Sequence, residues 1–197
     1  MVIFDHQLYH IKMNRKLRLV LLLICFACIS IDKATASASS DTIQKKQFPC
    51  IFELPNNEWN LVIDNPPKQY LFKRSPATDS TGRQIIPAIM LYSEDATSYK
   101  GDIAIFCSKK IQPFLDRGVK VPRILSWNVK DYPLTFKNAL FAKGEYTSAG
   151  LDHIIYMIYI IDKHNKGIQV YLDMTKNIAP KYEPEFWKTI KSLKEMP

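Results

Sequence analysis

The run His153-Ile-Ile-Tyr-Met-Ile-Tyr-Ile-Ile161 constrains this chain more than any other stretch. Its length and β-branched and aromatic content read as a strand. A strand covered on one side alternates apolar and polar residues, whereas this one is apolar at both parities. It therefore belongs in the middle of a sheet that is covered on both sides. Tyr156 and Tyr159 fall on opposite faces of it. Asp162–Lys166 forms a turn ending at Gly167, and Ile168-Gln-Val-Tyr-Leu-Asp-Met174 returns as its hairpin partner. Ala139-Leu-Phe-Ala-Lys-Gly-Glu-Tyr-Thr147 precedes it as a third strand. The three make a meander.

Upstream, Phe48-Pro-Cys-Ile-Phe-Glu-Leu-Pro55 alternates as a first strand closed by Pro55. Asn56–Trp59 opens a turn or a short helix, with Trp59 packing inward. Gln69–Ser75 is a strand, on which Tyr70 and Phe72 lie opposite Leu71. Residues 76–83, with Asp79, Ser80 and Gly82, make a turn. Gln84–Ser93 returns as the partner strand, with Pro87 at its edge. The period then changes. Ile103, Cys107, Ile111 and Phe114 recur every three or four residues, which predicts a helix from Ser98 to about Arg117. Pro113 should kink it or end it near Gln112. Residues 119–138, broken by Pro122 and Pro133, give no clear element. Tyr182–Leu193 places Phe186, Trp187, Ile190 and Leu193 on one helical face, with Pro184 in the first turn. Strands, a helix, a meander and a closing helix define an α+β domain on a mostly antiparallel central sheet flanked by helices.

Three segments carry a family resemblance: Phe48-Pro-Cys-Ile-Phe-Glu-Leu-Pro55 with Trp59, Ile85-Ile-Pro-Ala-Ile89, and Glu185-Phe-Trp-Lys-Thr-Ile-Lys-Ser-Leu193. Their order resembles the PsbP-like and DcrB-like domains over most of residues 48–194. The resemblance implies an α/β/α sandwich and a non-catalytic exported or adaptor role. It brings no catalytic motif to transfer. Cys50 and Cys107 are a departure from it.

The N-terminus reads as a targeting segment. Lys12, Arg15, Lys16 and Arg18 precede Leu19–Ile31, thirteen residues without charge, and Ala34-Thr-Ala-Ser-Ala38 follows. A basic region, a short apolar core and small residues at −3 and −1 are the pattern of a cleaved signal peptide. Cleavage after Ala36 or Ala38 fits, and Met13 also begins a complete pattern. A spanning helix needs about 20 apolar residues, so an anchor is the weaker reading. Lipidation at Cys28 is disfavoured by Cys25 three residues before it. The expected organisation is a signal peptide over 1–38, a flexible lead-in over 39–47 and a single PsbP-like domain over 48–197. The expected location is periplasmic or secreted, with no transmembrane helix after cleavage.

Residues 1–36 hold five basic and two acidic residues, so the mature chain keeps a net +5 of the total +8. Its basic residues come singly or in pairs, which argues against a nucleic-acid-binding tail. Two cysteines remain, Cys50 and Cys107. In an oxidising compartment an even pair is most simply one disulfide, closing about 57 residues for roughly 4 kcal/mol. Two buried free thiols are the other reading.

Catalytic motifs are missing. The chain has no G-x-S-x-G, H-E-x-x-H, P-loop or G-x-G-x-x-G. Six glycines in all leave little for a phosphate cradle. The mature histidines, His153 and His164, lie at opposite ends of one strand, about 30 Å apart, and cannot share a metal. No metal or cofactor is expected. Glu94-Asp95 sits where a strand leads toward a helix, a position that favours acids for dipole reasons. The reading is therefore an exported, non-enzymatic binding or accessory domain for a protein or small ligand. The alternatives are a hydrolase, with Asp152 and His153 as its least unsuitable acid–base pair, or a secreted effector that engages a host protein or an anionic surface.

Overall fold

The computed structural model describes residues 48–65, 68–126 and 136–196. The signal peptide and the lead-in expected over 1–47 lie outside these residues. Eleven strands and two α-helices are described, with a short 3-10 turn at Thr97–Tyr99. Seven strands form one sheet in the order β2-β3-β6-β10-β9-β8-β7, every neighbouring pair antiparallel. These are β2 (Trp59–Asn65), β3 (Gln69–Arg74), β6 (Ala88–Asp95), β7 (Lys120–Ser126), β8 (Ala139–Ser148), β9 (Leu151–Ile161) and β10 (Lys166–Thr175). The helices are α1 (Ile103–Leu115) and α2 (Ala179–Ser192). The α+β class follows directly.

β9 is the doubly apolar run, and its neighbours on both sides are the strands expected beside it. Ile154, Tyr156, Ile158 and Ile160 join a core to which α2 contributes Tyr182, Phe186 and Ile190. Ile155, Met157, Tyr159 and Ile161 join a second core to which α1 contributes Phe106, Cys107 and Ile111. Successive strand side chains alternate between faces, so the parity of β9 divides the buried residues into two sets. The β8–β9 turn places Ala149 at φ 50° and Gly150 at φ 73°, two positive values in succession, as a two-residue hairpin requires.

Some boundaries differ from the sequence reading. The first strand shrinks to β1 (Cys50–Ile51), which pairs with β11 (Lys194–Glu195) and ties the two ends of the domain together. Gln84–Ser93 is broken by Pro87 into β5 (Gln84–Ile85) and β6. β5 instead pairs with β4 (Ala77–Thr78) in a small hairpin. The Pro87 carbonyl accepts a hydrogen bond from the Arg74 N–H at 3.0 Å. Pro113 does not end α1 near Gln112. The helix runs on to Leu115 and closes when the Asp116 N–H donates to the Gln112 carbonyl at 2.9 Å. A proline this close to the C-terminus deprives only the carbonyl four residues back, and that carbonyl belongs to exposed Lys109. α2 begins at Ala179, so Pro184 lies in its second turn and Pro180 occupies the first.

The Cys50–Cys107 disulfide is not formed. Both cysteines are free and buried. Cys50 belongs to the buried cluster that includes residues of α2 and Cys107 to the one that includes residues of α1. Burial pushes the Cys107 thiol up to about 11 and the Cys50 thiol higher still. Neither is a reactive thiolate at neutral pH. We expect a thiol reagent to leave both unmodified in the native domain at pH 8. Both should label once it is unfolded without reductant, and a chain lacking free thiols after unfolding would contradict this arrangement.

Candidate functional site

The polar groups best placed for chemistry lie at the end of the sheet where β8 turns into β9. The register sets Tyr146 of β8 opposite His153 of β9. It sets Asp173 of β10 opposite Ile155, two residues along and on the same face as His153. The Tyr146 and His153 rings stack at 4.7 Å between centroids. His153 Nδ1 lies 3.0 Å from one Asp173 carboxylate oxygen, and the Tyr146 hydroxyl donates to the other. Nε2 has no hydrogen-bond partner among the described residues. Burial, reinforced by the Asp173 charge, raises the Tyr146 hydroxyl well above the ordinary phenol value. It stays protonated and serves as a donor.

His153 and Asp152 are not brought together. Neighbours on a strand point to opposite faces. The Asp152 carboxylate accepts from the Thr147 hydroxyl at 2.7 Å instead. The acid that orients His153 is Asp173, twenty residues on, and the sequence reading missed it along with Tyr146. Only the hairpin register could have found them, by aligning His153 with Thr175 and counting back one same-face step. His164 is exposed in the β9–β10 turn, where Asp162 accepts from the His164 and Lys166 N–H groups at 2.8 and 2.7 Å. Among the described residues no group of three His, Cys, Asp or Glu side chains could hold a metal ion.

Other acids make local contacts. Asp95 accepts from the N–H and hydroxyl of Thr97 at the 3-10 turn, at 2.9 and 2.6 Å. Glu94 pairs with Lys110 of α1 at 2.6 Å. On the opposite side of the sheet, Tyr156 donates to Glu183. Its ring packs among Phe141, Phe186 and Trp187 at centroid distances of 5.6–6.2 Å. Glu185 accepts two hydrogen bonds from Arg74, at 3.0 and 3.2 Å, and one from Trp59 Nε1 at 2.9 Å. Asp79 accepts from Thr81, Arg83 and Asn177, which pins the β4–β5 hairpin to the start of α2. These bonds, the Thr81 hydroxyl foremost, hold its carboxyl well below the ordinary value. The aromatic residues singled out from the sequence thus fill the cores.

These features define a class by architecture: an α+β domain on a seven-stranded antiparallel sheet, carrying a histidine oriented by a carboxylate. Among solved structures, the chain is similar to a protein of unknown function, PA94 from Pseudomonas aeruginosa. The TM-score is 0.50 at 13% identity, covering 71% of this chain and 99% of that one. It is also similar to the Ran-binding protein Mog1p of Saccharomyces cerevisiae, at TM-score 0.49 and 6% identity over 74% and 89% of the two chains. LpqN, involved in cell envelope biogenesis of Mycobacterium tuberculosis, gives TM-score 0.48 and 13% identity over 75% and 84%. The first shares the fold. No family model matches the sequence, and no curated protein matches it.

Proposed function

We propose that this chain is an exported, non-enzymatic binding or accessory domain, an α/β/α sandwich of the PsbP-like or DcrB-like kind. Support for the sandwich comes from the division of the cores, α1 packing with one parity of β9 and α2 with the other. The reading of the role rests on one observation. The best-placed acid–base group, His153, is held by Asp173 with Tyr146 as a second donor, and among the described residues no serine, threonine or cysteine is bonded to it. A nucleophile must sit within hydrogen-bond reach of its base. Cys107 is on the buried face of α1, and both cysteine thiols stay protonated at neutral pH. What the cluster offers a ligand is a ring nitrogen, Nε2, held in place through Nδ1. No observation favours an Asp152–His153 hydrolase.

Two measurements test the proposal. Intact mass of the protein from its producing cell should match a chain beginning at Ser37 or Ser39, and an uncleaved chain would remove the export half. Chromogenic ester, phosphate and glycoside substrates should show no turnover that depends on His153. Turnover abolished by His153→Ala and by Asp173→Asn would establish an enzyme.

A further inference from the structure

The solvent face of α2 is uniformly basic. Lys181, Pro184, Lys188 and Lys191 are all exposed. Their spacing of three, four and three residues puts them on an arc of about 80° at 100° per residue. The arc lies opposite Tyr182, Phe186 and Ile190, which are buried against the sheet. The helix has two acids, and both are committed elsewhere. Glu183 receives the Tyr156 hydroxyl and lies 3.9 Å from Lys143. Glu185 is bonded to Arg74 and Trp59. None of the three lysines has an ion-pair partner among the described residues. Lys181 lies against the Tyr182 ring at 5.1 Å from the centroid. The result is a straight row of three unneutralised charges spanning about 15 Å.

We infer that this helix face docks on the surface of an anionic phospholipid bilayer. The composition of the row chooses the occupant. Protein interfaces draw their energy from aromatic, apolar and arginine anchors and are depleted in lysine. This row has no aromatic, leucine, isoleucine or arginine side chain. Lysine is a compact, strongly hydrated point charge on a flexible stem. It suits a diffuse field of headgroup phosphates, which demands no fixed bidentate geometry. Each lysine near such a surface strengthens binding roughly five-fold at moderate ionic strength. The inference does not depend on the export reading. Signal cleavage and vesicle binding are separate measurements, and either can fail alone.

The test is co-sedimentation of the full protein with vesicles of equimolar phosphatidylcholine and phosphatidylglycerol, beside vesicles of phosphatidylcholine alone. Binding should be confined to the anionic vesicles and should weaken as salt is raised, through screening. K181Q/K188Q/K191Q should lower the partition coefficient on the order of 100-fold. K68Q/K100Q/K120Q removes the same charge from exposed positions off the helix and should lower it far less. These are surface changes, and unchanged thermal melts will show that both variants fold. Equal loss in both variants would mean that net charge alone is responsible and would overturn the assignment. So would wild-type binding that ignores lipid charge. Binding to a DNA duplex that depends on the three lysines, without vesicle binding, would replace the lipid with nucleic acid.

Discussion

Glu185→Ala is expected to destabilise the domain by about 3–5 kcal/mol, the cost of stranding a buried charge. Arg74 is only 9% exposed. Besides the two bonds it donates to Glu185, its guanidinium has Glu58 at 2.7 Å and the Tyr182 ring at 4.4 Å from the centroid. Removing Glu185 leaves the interior charge without its bidentate partner and orphans the buried Trp59 indole N–H. Urea unfolding measures the loss as a fall in midpoint at unchanged slope. A neutral, well-packed pair, Arg74→Met with Glu185→Leu, should recover the part due to the stranded charge but not the part due to the orphaned Trp59 N–H. If Glu185→Ala costs less than 1 kcal/mol, solvent or Glu58 is already compensating Arg74, and the pair does not fasten α2 to β3.

The same pair gives a pH dependence with a definite sign. Burial raises the Glu185 carboxyl, but hydrogen bonds from Arg74 and Trp59 outweigh it and hold the group below its ordinary value of 4.5. A carboxyl depressed in the folded state contributes stability in full above its unfolded value. That contribution is lost as pH falls through the lower folded value. Wild-type stability should therefore fall on acidification below about pH 4.5 more steeply than that of Glu185→Gln.

Phe106→Ala should cost a further 3–5 kcal/mol by an unrelated mechanism, cavity formation in the core of α1. Phe106 is fully buried. Its ring edge rests where Gly167 of β10 has no side chain. A β-carbon built there would lie 2.7 Å from two Phe106 ring carbons and 3.2 Å from the Ala96 methyl. Gly167→Ala alone should thus cost about 1–3 kcal/mol through overpacking. Combined, the two changes should cost less than their sum, because the alanine methyl enters the space the ring vacated. A double-mutant cycle in urea measures the difference. Strict additivity would mean that the strand shifts to admit the methyl rather than pressing on the ring.

The sequence missed the edge strand β2 for a physical reason. Leu61, Val62 and Asp64 are exposed, and the register slips between Leu61 and Ile63. An edge strand with a bulge and little burial leaves no period-2 signal, while its pairing energy comes from backbone bonds to β3 that any side chains permit. The first strand was overread for the opposite reason. Phe48, Cys50 and Phe52 alternate because all three fill the core beside α2, but only Cys50–Ile51 finds a partner strand. Burial set the pattern there, not pairing. The cysteine pair illustrates a further limit. Compartment chemistry can say that two thiols would oxidise if they met, but only the fold puts them in separate buried clusters.

Local information determined the α+β class, the β8–β9–β10 meander, the doubly covered central strand and the amphipathic faces of α1 and α2. These follow from side-chain periodicity and turn residues, whose interactions span a few positions along the chain. Tertiary structure alone decided that His153 pairs with Asp173 rather than Asp152, that Arg74 meets Glu185 across 111 positions, and that Cys50 and Cys107 lie in separate cores. Each depends on strand register or on which sheet face a helix covers. Those are set by the summed burial of the whole core, which no single segment carries.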